Sequence, residues 1–92
     1  MAKKSILNTE EYEGWSNWFT WNVSLWLFED EHVYTDMVKY VTQQRKLGQK
    51  VTYEGILEYA DIPKGTRTPD GASMWSPNVN RQELLDCILR EI

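Results

Sequence analysis

The sequence predicts a mostly α-helical protein, a compact bundle of about four helices with a Pro/Gly-containing loop or small β-hairpin before the last helix. Apolar residues recur at helical spacing over residues 33–47 and 84–92. Residue types that cap helices precede the apolar segments. Ninety-two residues also match the size of one domain. We therefore predict a flexible lead-in over residues 1–13 and a single helical domain over residues 14–92.

Aromatic residues are unusually dense in this short chain. There are five Trp, five Tyr and two Phe, and each buried aromatic side chain removes on the order of 150–250 Å² from water. We expect these residues to form an aromatic core. A core this small cannot hide every tryptophan, so we expect one or two at the surface.

Composition argues against catalysis, cofactors and metals. Cys87 and His32 are the only residues of their types, which excludes an internal disulfide and leaves little for a metal site or a nucleophile–base pair. No glycine signature for phosphate or dinucleotide binding occurs. The start of the chain does not resemble a secretory signal, and no run approaches about 18 apolar residues. We predict a cytoplasmic protein that is not an enzyme and does not use a membrane.

The first predicted helix covers residues 18–28, after Ser16 or Asn17 as its cap. Its apolar side chains point in most directions, and only Thr20 and Ser24 form a narrow polar strip. At 100° per residue, one apolar stripe contains Trp18, Trp21, Leu25 and Phe28. A strand is the alternative, because apolar residues also alternate over residues 21–27.

Two further helices follow. The second is predicted over residues 33–47, with acidic residues before it, basic residues late in it and Gly48 as its left-handed stop. Thr52 caps a short third helix, which Pro63 ends.

The segment 63–80 contains all three prolines, and Thr68-Pro-Asp-Gly71 within it is typical of a tight turn. Asn80 and Glu83 form a capping-box pattern, in which Glu83 reaches back to the Asn80 N–H. The last helix then runs to Ile92. If Asn22 is buried, it needs hydrogen-bond partners, and we expect it to tie the first helix to the loop over residues 66–75.

Exposed tryptophans are common anchors of protein interfaces, so we predict a protein-binding surface. Its candidate anchors are Trp15, Trp18, Trp26 and Trp75, with an acidic rim of Glu29, Asp30, Glu31 and Asp36. The acidic residues lack the spacing of a calcium loop, and we interpret them as a solvated helix start.

Two alternatives remain open. Lys39, Arg45, Lys46 and Lys50 form a local basic cluster, which could bind nucleic acid through phosphate contacts. The net charge of −4 argues against this, and cations are expected at a helix end for dipole reasons alone. The other alternative is homo-oligomerisation, a homodimer for example, with the surplus aromatics buried between copies.

The run G-W-S-N-x-x-T-W-N-V-x-L-W over residues 14–26 resembles a family of small uncharacterised proteins encoded by bacteriophages and plasmids. The resemblance continues in Glu29-Asp-Glu31, in the Thr68–Gly71 turn and in the closing helix. Residues 18–19 depart from it, because the family has a smaller aromatic followed by Glu. The resemblance implies no common activity. By analogy it implies a protein that binds a host bacterial factor, to redirect it or to block a defence system.

Overall fold

The computed structural model describes residues 11–92 and contains four helices there: α1 (Trp18–Glu29), α2 (Glu31–Leu47), α3 (Tyr53–Tyr59) and α4 (Arg81–Glu91). Helices α1 and α3 each pack against both α2 and α4. No residue from 11 to 92 belongs to a strand. The predicted mostly α fold is confirmed. Residues 1–10 of the predicted lead-in lie outside the described residues.

Side-chain caps define the four helix starts. In each case the capping oxygen accepts the backbone N–H three residues later, which is the usual N-cap bond. The caps are Asn17, Asp30, Thr52 and Asn80. Because Asp30 takes this role, α2 starts at Glu31, two residues before the predicted start. Gly48 ends α2 with φ 70°, as predicted.

The centre of the core is aliphatic, so the expectation of an aromatic core is wrong. The buried core residues are Val, Leu, Ile, Met and Ala side chains, and Tyr53 is the aromatic member. Four tryptophans pack around this centre, half-buried. Aliphatic side chains from four helices interdigitate in a small volume more easily than indoles, which leaves the larger rings at the periphery.

The connection from α3 to α4 closes one side of the bundle. Ala72 and Met74 are fully buried, and the Tyr53 hydroxyl donates to the Met74 carbonyl at 2.7 Å. The predicted turn forms, since the Gly71 N–H donates to the Thr68 carbonyl at 2.9 Å. The flanks make a single antiparallel bridge between Arg67 and Ser73, so the segment is a loop rather than a hairpin.

The predicted capping box at α4 forms only in part. Asn80 accepts from the Glu83 N–H at 3.1 Å, but the Glu83 carboxylate does not return to Asn80. It accepts from the Ser16 N–H at 3.0 Å, and the Asn80 N–H donates to the Thr20 hydroxyl at 2.8 Å. The two groups of the missing bond, the Glu83 carboxylate and the Asn80 N–H, therefore bond instead to Ser16, which precedes α1, and to Thr20 in α1.

Candidate functional site: the outer face of the first helix

Helix α1 turns its polar strip inward. Thr20 and Ser24, the two residues of the narrow polar strip, are buried, and so are Asn22, Val23 and Leu27. At 100° per residue, Thr20, Val23, Ser24 and Leu27 lie within one side of the helix. The stripe of larger apolar residues on the other side is therefore left facing outward.

Hydrogen bonds make this orientation possible. A buried hydroxyl or amide is tolerated when it has a partner. The Thr20 hydroxyl accepts from Asn80, as described above, and the Ser24 hydroxyl donates to the Trp21 carbonyl at 2.6 Å. The Asn17 side chain donates to the Asn78 carbonyl at 2.8 Å. The polar residues of the G-W-S-N-x-x-T-W-N run thus hold α1 against the segment that leads into α4.

Asn22 joins α1 to the tip of the loop, as predicted. Its amide nitrogen donates to the Asp70 carboxylate at 2.8 Å, and its oxygen accepts from the Thr68 hydroxyl in a short bond. The same hydroxyl accepts from the Ala72 N–H at 3.0 Å. Both Asn22 and Thr68 are buried, so this network fixes the loop beside the helix.

The outward residues Trp18, Trp21, Leu25 and Phe28 form what we call the outer stripe, and all four are half-buried. Trp18 and Phe28 also pack against the core, whereas Trp21 and Leu25 are not among the core-packed residues. The ring of Tyr12 covers part of Trp21 at a centroid distance of 4.8 Å. Tyr34 extends the stripe beyond Phe28, at 6.0 Å.

The four predicted anchors are half-buried and occupy different places. Trp18 belongs to the outer stripe, and Trp26 lies on the adjacent side of α1. Trp15 precedes the helix, where its backbone pairs with Tyr12. Trp75 lies apart from them beside the end of α3, where its indole N–H donates to the Ile62 carbonyl at 3.0 Å.

Trp21 and Leu25 were not among the predicted anchors, although they are the stripe residues outside the core. The available signal was the stripe itself, since both share a helical face with Trp18 and Phe28. This signal was obscured because the apolar residues of α1 point in most directions, so the sequence did not show which face lies outside the core.

The predicted acidic rim divides into different roles. Glu29 and Glu31 are exposed, and Asp36 is half-buried. The Asp30 carboxylate caps α2 by accepting the Val33 N–H at 3.0 Å, which gives this residue a structural role. Among residues 11–92, no group of three or more His, Cys, Asp or Glu residues is placed to hold a metal ion.

A cleft of ≈ 140 Å³ lies between α1 and the Thr68–Gly71 turn. Leu25, Trp26 and Glu29 line it from the helix, and Pro69 and Asp70 line it from the loop. We call it the Trp26 cleft. Because Leu25 belongs to both features, the cleft adjoins the outer stripe.

The four residues of the predicted basic cluster are exposed and have different neighbours. Lys39 and Lys46 line a shallow groove on α2 beside Tyr59. Arg45 donates to the Leu89 carbonyl at 2.8 Å, near the end of α4. Lys50 lines a separate cleft. Arg45 and Lys46 occupy the last turn of α2, where the helix dipole favours cations.

The reactive side chains His32, Tyr53 and Cys87 lie on three different helices of the described part of the chain. His32 is exposed at the start of α2. Cys87 is half-buried, and burial raises the pKa of its thiol, which lowers its thiolate fraction. Burial also raises the pKa of the Tyr53 hydroxyl, which donates to a carbonyl inside the core.

Comparison with known proteins places the chain in a family. A model for a family of unknown function, DUF7249, matches residues 8–91, so the chain belongs to this family. No curated protein and no solved structure matches the chain. Over residues 11–92, no helix is both long and apolar enough to cross a membrane.

Proposed function

We propose that this member of the family is a phage- or plasmid-encoded protein that binds a host bacterial protein without catalysis. It acts in the cytoplasm of the host and inhibits or redirects its partner, for example a component of a defence system. The proposed phage or plasmid origin is supported by the resemblance of residues 14–26 to small phage and plasmid proteins. The binding surface is supported by the outer stripe.

The orientation of α1 carries this proposal. A helix that buries Thr20 and Ser24 while Trp21 and Leu25 stay outside the core does not follow the usual pattern of a surface helix. Trp21 and Leu25 add little to the core of the monomer. A partly exposed apolar stripe outside the core of a small protein supports an interaction site.

The neighbouring residues fit the composition of an interface. Trp18 lies within the outer stripe, and Trp26 and Glu29 lie in the adjoining Trp26 cleft. Aromatic anchors at the centre and charged residues at the rim are the usual arrangement of a protein–protein interface. Trp75 lies elsewhere, so we do not include it in this surface.

Homo-oligomerisation uses the same observation, because a second copy could cover the outer stripe. Sedimentation velocity at increasing concentration separates the two functions. A monomer at every concentration supports binding to a different protein. A dimer that dissociates in a Leu25→Glu variant supports self-association.

Two leucine variants test the proposed surface. Leu25 lies in the outer stripe, whereas Leu47 is 62% exposed at the end of α2. The wild type, Leu25→Glu and Leu47→Glu proteins are immobilised and incubated with lysate of a susceptible bacterium. Partners are identified by mass spectrometry, purified and titrated against each protein by calorimetry.

We expect Leu25→Glu to weaken binding of the purified partner at least ten-fold, because a carboxylate would replace an apolar contact. Leu47→Glu adds the same charge and should bind as the wild type does. Circular dichroism melting curves establish that both variants are folded. Equal affinity for Leu25→Glu and wild type would refute the assignment of the surface.

A further inference from the structure

The Trp26 cleft has the size of one side chain. Its volume of ≈ 140 Å³ is below the range of about 300–1,000 Å³ typical of small-molecule sites. Trp26, Leu25 and Pro69 give it apolar and aromatic walls, while Glu29 and Asp70 supply carboxylates. An occupant therefore needs an apolar stem and a polar or charged end.

The charge of the cleft selects the sign of that end. Within residues 11–92, Glu29 and Asp70 are its only charged lining residues, and neither forms an ion pair with another residue of that range. Asn22 donates to one oxygen of Asp70, which holds this carboxylate at the cleft. Arg67, the nearest cation in sequence, donates instead to the Gly71 carbonyl at 2.9 Å and does not line the cleft.

A second cleft in the same molecule shows how this lining accommodates a cation. It lies beside the end of α3 and combines a tryptophan, a proline and two carboxylates, namely Trp75, Pro63, Glu58 and Asp61. There the chain supplies its own cation, because the Lys64 ammonium lies 5.4 Å from the centre of the Trp75 ring. The Trp26 cleft repeats this combination, but no basic residue from the described part of the chain lines it.

We infer that the Trp26 cleft binds an arginine side chain of the partner protein. This inference rests on the proposed function, since it defines the chemistry of the partner at the edge of the outer stripe. A guanidinium group is planar, stacks on an indole and forms paired hydrogen bonds with a carboxylate. A lysine ammonium is a more strongly hydrated point charge without that fork.

Titration with single-residue probes tests the cleft without the partner. The full-length ¹⁵N-labelled protein is titrated with N-acetyl-arginine amide, N-acetyl-citrulline amide and N-acetyl-lysine amide, and the Trp26 indole N–H is followed by NMR. Citrulline is a neutral analogue of arginine with nearly the same shape. We expect a saturable shift with arginine, binding at least ten-fold weaker with citrulline and weaker binding with lysine.

Charge-neutralising variants localise the effect. Glu29→Gln combined with Asp70→Asn should weaken arginine binding at least ten-fold, and the amide that replaces the Asp70 carboxylate keeps an oxygen that can accept from Asn22. Asp86→Asn combined with Glu91→Gln removes the same two charges from α4, outside the cleft, and should change nothing. The inference is overturned if arginine causes no saturable shift at Trp26, if citrulline or lysine binds as tightly, or if the double variant binds as the wild type does.

The two proposals fail separately. If Leu25→Glu loses partner binding but arginine causes no shift at Trp26, the proposed surface stands and the inference of an arginine site is rejected. Arginine binding at Trp26 with a partner unaffected by Leu25→Glu would reject the proposed surface.

Discussion

At the scale of single residues, the Asn22 side chain joins α1 to the loop before α4 through two hydrogen bonds. It is buried and bonds to Thr68 and Asp70, more than 40 positions later in the chain. Asn22→Ala should lower the free energy of unfolding by about 1–3 kcal/mol, because the buried Thr68 hydroxyl loses its acceptor. Urea denaturation measures this change, and hydrogen exchange at the Ala72 amide should accelerate. The control is Gln43→Ala, on the exposed face of α2, which should change the free energy of unfolding by less than about 0.5 kcal/mol. An equally small change for Asn22→Ala would contradict a stabilising role for the hydrogen bonds of Asn22 with Thr68 and Asp70.

Gly55 is required by a close approach rather than by its backbone angle. A Cβ atom there would lie 2.7 Å from Cζ of Tyr40 and 2.8 Å from the Thr52 hydroxyl. Helix propensity alone predicts that Gly55→Ala stabilises α3 by up to about 1 kcal/mol. We expect net destabilisation of about 1–3 kcal/mol instead, since the Tyr40 ring must move. Thermal unfolding measures this destabilisation. It should be smaller in a Tyr40→Leu background, which lacks the hydroxyl end of the ring that the new Cβ atom would meet. A Gly55→Ala protein more stable than wild type would show that the ring moves without cost.

At the scale of elements, α1 and α4 are joined through a backbone N–H. Thr20 is fully buried and accepts from the Asn80 N–H at 2.8 Å. Thr20→Val keeps the shape of the side chain but removes the acceptor, so the free energy of unfolding should fall by about 1–3 kcal/mol. Denaturation by urea gives this value, and Asn80 amide exchange reports the lost bond directly. Thr42→Val makes the same replacement on an exposed position of α2 and should be nearly neutral. Similar values for both variants would mean that the bond contributes little.

Local signals in the sequence located the helices but not the orientation of α1. The caps at Asn17, Thr52 and Asn80 and the stop at Gly48 act within one helical turn, so residue type and spacing predict them. Helix α1 has apolar residues in most directions, and periodicity therefore cannot identify its inner side. That side is decided by bonds across 60 or more positions, such as those from Asn80 to Thr20 and from Ser16 to Glu83. Because periodicity did not identify the outer side of α1, Trp18 was predicted as an anchor while Trp21 was missed.

At the scale of the whole molecule, the tryptophans surround the core instead of forming it. All five are half-buried, and the chain carries a net charge of −4. A neutral quencher should therefore reach them in the folded protein, whereas a charged quencher should respond to the protein's field.

We expect acrylamide to quench a large part of the native tryptophan fluorescence, and caesium to quench more strongly than iodide because an acidic surface attracts cations. The difference between the two ions should narrow as sodium chloride is added, since salt screens surface charge over about 10 Å at 0.1 M. Stern–Volmer plots of the folded protein measure the quenching by acrylamide, by caesium and by iodide. The protein unfolded in urea is the reference in which every tryptophan is accessible. Native fluorescence that acrylamide barely quenches would place the indoles inside the core. That result would remove the apolar outer face from which both binding proposals start.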